Sequence, residues 1–224
     1  MKFTNKKAIL FDLDGTLINS APDLAVAVNH MLERLDRETF SEDAIHQWVG
    51  NGALTLVKRA LSGQSTVDEY LDAKLVDNAL DIFLTFYAQN LCNATITYPH
   101  VSSTLKALKE AGYRLAIVTN KPFAFVEPIL ECLNLSGLFE LILGGDSLPE
   151  KKPNPVPLLH VCKNLGVSVD ECVMVGDSKN DILAANACRM QSIGVNYGYN
   201  YGEDIGVYKP SLVTDDFAEL LEVL

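Results

Sequence analysis

Residues 8–16 read Ala-Ile-Leu-Phe-Asp-Leu-Asp-Gly-Thr, and the fold of the chain is decided there. The leading apolar run is too short for a helix and is typical of a strand buried on both faces of a parallel sheet. Asp12 and Asp14 follow at once, and residues two apart in an extended backbone point the same way. Two acids at a buried strand end repel each other unless a cation lies between them. Taken alone, the stretch favours an ordinary acidic turn after a strand, but the polar residues further along the chain favour a site for a divalent cation with oxygen ligands.

The composition is that of a globular protein. Of the 224 residues, 48% are apolar and 21% are charged, which is enough for one large domain or two smaller ones. The net charge of −11, without a stripe of Lys and Arg, argues against nucleic acid as a partner. An anionic small molecule must then be held by local positive charge or by a metal. We expect a monomer or small homo-oligomer that acts on a small molecule.

The five cysteines are scattered and include no Cys-x-x-Cys pair. This pattern is typical of free thiols in a reducing compartment, not of a disulfide framework or a zinc site. The first apolar run is interrupted by Asp12 and Asp14, which excludes a secretory signal, and no apolar run is long enough to span a bilayer. We therefore expect a cytoplasmic protein that does not associate with membranes.

Two kinds of pattern divide the chain. Residues 19–95 show helical periodicity without a convincing strand, and Gly- and Ser-rich breaks divide them into about four helices. From residue 96 onward, strands and helices alternate, which predicts a parallel sheet with helices on both faces. The first strand belongs to that sheet. We predict an α/β core formed by residues 1–18 and 96–224, with an all-helical domain of residues 19–95 inserted between them.

Polar residues follow four of the predicted strands. Ligands bind outside the carboxyl ends of the strands in open α/β sheets, so we expect these residues to form one site. They are Asp12 and Asp14 after the first strand, Thr119, Asn120 and Lys121 after the second, Lys151 and Lys152 in the loop after the third, and Gly176, Asp177, Ser178 and Asp181 after the fourth.

This combination suits the hydrolysis of a phosphate ester. The ester is dianionic, so a carboxylate can attack it only where charge is shielded. Mg²⁺ held by Asp12, Asp177 and the backbone carbonyl of Asp14 would supply that shielding. Asp12 is the candidate nucleophile, which would form an aspartyl-phosphate, and Asp14 is the candidate general acid and base.

The remaining residues have supporting roles in this hypothesis. Lys152, Thr119 and Asn120 are candidates for binding the phosphoryl oxygens by charge and hydrogen bonds. Asp181 lies one helical turn beyond Asp177. We expect it, with Ser178, to cap a helix and support the metal ligands rather than to bind the ion.

Four segments resemble the four motifs of the haloacid dehalogenase superfamily, in the same order and with the insertion in the same place. They are Asp12-Leu13-Asp14-Gly15-Thr16, Thr119, Lys152-Pro153 and Gly176-Asp177-Ser178-x-x-Asp181. The resemblance implies a Rossmann-like core with a helical cap that opens and closes over the site. The namesake dehalogenases lack the second acid of the first motif, so Asp14 indicates the phosphatase branch.

Residues 49–53 and 196–200 are similar to segments of one family within that branch, the bacterial phosphoglycolate phosphatases. This resemblance implies Mg²⁺-dependent hydrolysis of 2-phosphoglycolate to glycolate and phosphate. A selective cap must then present donors to the substrate carboxylate. Asn51, Lys58 and Arg59 are the candidates, although a plain turn followed by two solvated charges is an alternative.

Three other functions remain open from the sequence. The chain could be a phosphatase or mutase for another small phosphate, such as a sugar phosphate. It could be a phosphonate hydrolase, which needs a cap lysine for a Schiff base, and Lys58 and Lys74 are available. It could also be a regulatory binding protein on a decayed scaffold, but the intact acids and Lys152 argue against that.

Overall fold

The computed structural model describes residues 2–224 and contains eight strands. In chain order they are β1 Ala8–Phe11, β2 Ile18–Asn19, β3 Ile96–Thr97, β4 Arg114–Val118, β5 Leu141–Leu143, β6 Cys172–Gly176, β7 Gln191–Val195 and β8 Leu212–Thr214. Six of them form one sheet in the order β5-β4-β1-β6-β7-β8. Every pairing in this sheet is parallel. This arrangement confirms the predicted α/β fold.

Nine α-helices accompany the strands in the described residues. The four between β2 and β3 form the helical cap: α1 Ala21–Arg34, α2 Glu42–His46, α3 Ala53–Ser62 and α4 Ala73–Gln89. The others are α5 Val101–Glu110, α6 Phe123–Cys132, α7 Val156–Leu165, α8 Lys179–Ala187 and α9 Leu220–Val223. No helix within residues 2–224 combines the length and the apolar character needed to cross a bilayer.

The central strand β1 is buried on both faces, as its apolar run predicts. Successive side chains of a strand point to opposite faces of the sheet. Ile9 and Phe11 accordingly share one buried cluster with α5 and α6. Ala8 and Leu10 share the other with α7 and α8. With β4 and β6 as its neighbours, β1 brings the residues after these three strands to the same edge of the sheet.

A second, two-stranded sheet joins the two ends of the helical cap. β2 and β3 pair antiparallel, with Ile18 opposite Thr97. Close by, the buried carboxylate of Asp23 accepts hydrogen bonds from the backbone N–H groups of Ala94 and Thr95. The sequence does not predict these strands, because a pair of two-residue strands is too short to show a periodic pattern.

One expectation from the sequence is wrong. Cys92, just after α4, and Cys132, the last residue of α6, form a disulfide with their Cα atoms 6.7 Å apart. Only Cys162, Cys172 and Cys188 are free thiols. The pairing depends on the tertiary approach of two positions that lie 40 residues apart, and the cysteine spacing does not reveal it.

The C-terminal segment combines a turn with a short helix. Residues 217–219 form a 3₁₀ turn directly before α9. The side chain of Asp216 caps this turn by accepting a hydrogen bond from the Ala218 N–H. Phe217 is thereby buried beside Phe11, with the ring centroids 5.8 Å apart.

Candidate active site

A cavity lies between the carboxyl edge of the large sheet and the helical cap. The core contributes polar side chains to its lining, and the cap contributes mainly apolar ones. Core residues at the cavity include Asp12, Asp14, Thr119, Asn120 and Lys121, and cap residues include Leu24, Val49, Leu56, Phe83 and Tyr87. The position agrees with the expectation that the polar strand ends form one site.

Asp12 has one engaged and one open carboxylate oxygen. Its Oδ1 accepts a hydrogen bond of 2.8 Å from the Leu13 N–H and lies 3.0 Å from the ammonium of Lys152. Its Oδ2 accepts no hydrogen bond from the described residues. Burial raises the pKa of Asp12 to about 7, and the charge of Lys152 limits the rise. The open oxygen belongs to a side chain that lines the cavity, which suits a nucleophile.

Asp12, Asp177 and Asp181 form a buried acidic cluster, with one carboxylate oxygen of each within 4.8 Å of the others. Burial, followed by the charges of Asp12 and Asp181, raises the pKa of Asp177 well above its usual range. Such a cluster is stable only if its charge is neutralised by protons or by a cation. Carboxylate oxygens are the donors that hard divalent cations prefer, so the cluster fits a metal of that class.

Asp181 supports its neighbours through both of its oxygens. Oδ2 accepts hydrogen bonds of 3.0 Å from the backbone N–H and the hydroxyl of Ser178 at the start of α8. Oδ1 lies 2.5 Å from the ammonium of Lys152. Lys152 is 1% exposed and is held between Asp181 and Asp12. The geometry therefore suits the capping and supporting role that we expected for Asp181 and Ser178.

Asp177 is oriented by two groups that the sequence did not predict to contact it. The hydroxyl of Thr16 donates to its Oδ1 over 2.7 Å, and the backbone N–H of Tyr199 donates to its Oδ2 over 2.7 Å. Gly15 and Gly198 face the same side chain so closely that a Cβ on either would lie 2.2 Å from an Asp177 atom. The signal for Thr16 was its place in the first motif, and the signal for Tyr199 was its place in the segment of residues 196–200.

Asp14 belongs to a different set of contacts. Its Oδ1 accepts a hydrogen bond of 2.5 Å from the hydroxyl of Ser20 and lies 3.0 Å from the ammonium of Lys121. Lys121 also donates to the hydroxyl of Tyr87 on α4 over 2.7 Å. Burial would lower the pKa of Lys121, but Asp14 and Tyr87 outweigh it and raise that pKa. From the sequence, Lys121 was expected among the polar residues after the second strand of the core, without an assigned role.

Thr119 and Asn120 follow β4, and only one of them has a hydrogen-bond donor to spare. The hydroxyl of Thr119 accepts a hydrogen bond from the Lys121 N–H over 3.2 Å, so its own proton remains available. The amide of Asn120 donates to the carbonyls of Gly50 and Lys152, each over 3.1 Å. Its buried Oδ1 has no partner among the described residues. Asn120 thus connects the cap to the loop of Lys152, and its amide protons are not free for a phosphoryl group.

Asn51 contacts the core rather than the cavity. Its Oδ1 accepts a hydrogen bond from the hydroxyl of Tyr201 over 2.8 Å. Its backbone carbonyl accepts one from the ammonium of Lys151 over 2.7 Å. The adjacent Gly50 carbonyl accepts from the side-chain amide of Asn180 as well as from that of Asn120. The cap loop of residues 49–52 is therefore attached to four separate segments of the core, which follow β4, β5, β6 and β7.

The basic cap residues lie elsewhere. Arg59 donates to the carbonyls of Trp48 and Ser65, over 2.6 and 2.7 Å, which stabilises the cap itself. Lys58 lines a separate surface hollow beside Asp68, and Lys74 is exposed. The structure brings none of these three cations to the lining of the cavity, which removes the two lysines proposed for a Schiff base from the reach of a substrate there.

Comparisons with known proteins agree with this geometry. Residues 9–195 match the family described as haloacid dehalogenase-like hydrolase. A phosphoglycolate phosphatase from Colwellia psychrerythraea (strain 34H) is 55% identical over 221 residues, which cover 99% of this chain and 98% of the relative. A phosphoglycolate phosphatase from Psychrobacter arcticus is 48% identical over 98% of this chain and 96% of its own length.

A solved structure is also similar over nearly the whole chain. The crystal structure of a predicted phosphoglycolate phosphatase from Haemophilus somnus 129pt superposes with a TM-score of 0.91 at 42% identity, covering 98% of both chains. The resemblance inferred from the four motifs is confirmed. The chain belongs to the haloacid dehalogenase-like hydrolase family.

Proposed function

We propose that the protein is a Mg²⁺-dependent phosphomonoesterase that hydrolyses 2-phosphoglycolate to glycolate and phosphate through an aspartyl-phosphate on Asp12. The observation that carries the proposal is the open Oδ2 of Asp12, in a cavity-lining side chain whose other oxygen is held by Lys152. The names of relatives that are 48–55% identical over almost the full length support the choice of substrate.

The proposed metal ligands are Asp12, Asp177 and the backbone carbonyl of Asp14. The hydrogen bonds from Thr16 and Tyr199 orient Asp177 for this role. When bound, Mg²⁺ would neutralise charge on the phosphoryl oxygens and so allow a carboxylate to approach phosphorus. Lys152 adds a positive charge beside Asp12, and the Thr119 hydroxyl can donate a hydrogen bond to a phosphoryl oxygen.

The chain's own residues would carry two half-reactions. Asp12 Oδ2 attacks phosphorus, and the bond between phosphorus and the glycolate oxygen breaks while protonated Asp14 gives its proton to that oxygen. Water then attacks the phosphorus of the aspartyl-phosphate, Asp14 takes a proton from the water, and the Asp12 carboxylate is released with phosphate. Asp14 suits this role because its carboxylate lies outside the acidic cluster and lines the cavity.

The helical cap is the proposed cover of this site. We propose that residues 19–95 move as a domain against a core of residues 1–18 and 96–224. The β2–β3 pair supports these boundaries because it lies where the chain leaves and re-enters the core. Apolar cap residues such as Leu56 and Phe83 line the cavity, and water is excluded when such a surface closes over a small substrate.

The test is a panel of phosphate esters with purified protein. We expect the highest kcat/KM on 2-phosphoglycolate, release of glycolate and phosphate in equal amounts, and loss of activity when EDTA removes the metal. A higher kcat/KM on a sugar phosphate would contradict the proposed substrate, and a rearranged sugar phosphate as product would indicate a mutase.

The nucleophile is tested with the same assay. Asp12→Asn keeps the shape of the side chain but removes the charge needed for attack, so kcat should fall by about a thousandfold or more. Mass spectrometry should confirm that the purified variant has not deamidated. Substantial turnover by the intact variant would contradict the covalent mechanism.

A further inference from the structure

The charges that line the cavity are unevenly distributed. Of the described residues at its lining, Lys121 is the one cation, and the cap side is formed largely by apolar residues such as Leu24, Leu56 and Phe83. Lys152 is not among the lining residues, and its ammonium contacts Asp12 and Asp181. Lys121 is therefore the one positively charged side chain at this lining that can contact an anionic group on the organic part of a substrate.

Lys121 is held in place with one donor to spare. A lysine ammonium has three N–H donors. One is directed at Asp14, with distances of 3.0 and 3.3 Å to its two oxygens, and one at the Tyr87 hydroxyl over 2.7 Å. The side chain is only 5% exposed and its ammonium lies 4.8 Å from the centre of the Tyr87 ring. A third N–H remains for a group inside the cavity.

The partner Tyr87 belongs to the cap, so this position of Lys121 depends on both parts of the molecule. The Tyr87 ring stacks on Phe83 of the same helix and meets Phe125 of α6 edge-on, with centroids 5.7 and 5.2 Å apart. These contacts fix the hydroxyl that holds the ammonium. The position of the cation is therefore set before a ligand enters, which reduces the entropy lost on binding.

Among the buried cations at the site, Lys121 is the one available to contact the organic part of the substrate. The phosphoryl group would meet Lys152 and the metal at Asp12 and Asp177. The carboxylate of 2-phosphoglycolate is separated from its phosphate by one carbon and one oxygen, so it must lie in the same cavity. We infer that Lys121, positioned by Tyr87, binds this carboxylate and thereby selects phosphate esters that carry a neighbouring carboxylate. This inference rests on the proposed function.

The experiment compares two esters of nearly equal size: 2-phosphoglycolate and 2-hydroxyethyl phosphate, in which a hydroxymethyl group replaces the carboxylate. The measured quantity is the ratio of their kcat/KM values. Lys121→Met also removes the ammonium that contacts Asp14, which should lower kcat/KM for both esters. The ratio of the two kcat/KM values therefore reports on recognition of the carboxylate alone. We expect Lys121→Met to lower the ratio by about ten- to a hundredfold, as for the loss of a charge-assisted hydrogen bond.

Three further variants complete the design. Lys121→Arg keeps the positive charge, so its ratio of kcat/KM values should stay close to that of the wild type. Tyr87→Phe keeps the ring but removes the hydroxyl that holds Lys121, and should lower the ratio by a few-fold. Lys106→Met removes an exposed lysine on α5 and should leave both rates unchanged. If Lys121→Met does not fold, Tyr87→Phe and Lys121→Arg still give the comparison, and an unchanged ratio in Tyr87→Phe overturns the inference.

The two proposals fail in different ways. If the wild-type enzyme does not prefer 2-phosphoglycolate to 2-hydroxyethyl phosphate, the proposed substrate is wrong, and selection of the carboxylate is wrong with it. If the wild type has that preference and folded Lys121→Met retains it, the proposed substrate is supported, and Lys121 does not bind the carboxylate.

Discussion

Asp12 and Asp14 are two residues apart in the chain, but their carboxylates contact different lysines. Lys152 lies beside Asp12, and Lys121 lies beside Asp14. The acidic cluster includes Asp12 but not Asp14. Two similar side chains can thus perform different chemistry, because their surroundings differ.

The first prediction separates these roles through the leaving group. Asp14→Asn should lower kcat on 2-phosphoglycolate by about 10²- to 10⁴-fold, because an alkoxide needs a proton as it departs. p-Nitrophenolate does not need one, so its release in the first turnover should slow at least tenfold less. A rapid-mixing measurement of that first turnover gives the comparison, and equal losses on both substrates would contradict a general acid at Asp14.

The second prediction concerns the space around Asp177. A Cβ on Gly198 would lie 2.2 Å from the Asp177 Cβ, so Gly198→Ala must displace the carboxylate. The Mg²⁺ concentration for half-maximal activity should rise by about ten- to a hundredfold, as when a group that orients a metal ligand is lost. Gly206→Ala is the control, because its Cβ would meet only the end of the Asp204 side chain. An unchanged Mg²⁺ requirement in Gly198→Ala would show that Asp177 does not hold the metal.

At the scale of elements, the cap loop of residues 49–52 is attached to the core through hydrogen bonds to its carbonyls and to Asn51. The donors come from the loops after β4 and β5, from α8, and from Tyr201 after β7. These contacts hold the cap over the cavity. The loop is therefore part of the cover in this structure, whereas the sequence had suggested that Asn51 reads the substrate.

The third prediction distinguishes these two roles of Asn51. Because its side chain bonds to Tyr201, Asn51→Ala should lower kcat/KM for 2-phosphoglycolate and for p-nitrophenyl phosphate by the same factor, about two- to tenfold. Tyr201→Phe removes the other partner and should have a similar effect, and the double variant should lose less than the product of the two. A loss confined to 2-phosphoglycolate would instead support Asn51 as the residue that reads the substrate.

On the scale of the whole molecule, three features tie the cap to the core: the β2–β3 pair, the cap loop, and the disulfide from Cys92 to Cys132. The disulfide closes a loop between the end of the cap and α6. Since α6 also carries Phe125, which packs on Tyr87 at the cavity, the covalent link joins the end of the cap to a helix that lines the cavity.

The fourth prediction tests that link. Cross-linking residues 40 apart restricts the unfolded chain, so reduction should lower the free energy of unfolding by roughly 3–4 kcal/mol. Urea unfolding of oxidised protein, with and without a reductant, measures the difference. The double variant Cys92→Ser with Cys132→Ser should match the reduced protein and should not respond to the reductant. Identical unfolding curves for oxidised and reduced wild type would show that the link adds no stability.

The sequence alone predicted the fold and the edge of the sheet at which the candidate site residues lie. The apolar run of β1 predicted a doubly buried strand, and the alternation after residue 96 predicted the parallel sheet. In such a sheet the strand ends meet at one edge by geometry alone, so Asp12, Thr119 and Asp177 could be grouped without any contact being known. Local patterns carry this information because burial on one or both faces imposes a period on the chain.

Only the tertiary structure decided the contacts between distant residues. Lys121 meets Tyr87 across 34 residues, Cys92 meets Cys132 across 40, and Tyr201 meets Asn51 across 150. The same is true of Lys58 and Arg59, whose helical spacing could not show that α3 directs them away from the cavity. A hydrogen bond or a disulfide depends on distances of a few ångströms, and the packing of the cap against the core sets those distances, which no local pattern records.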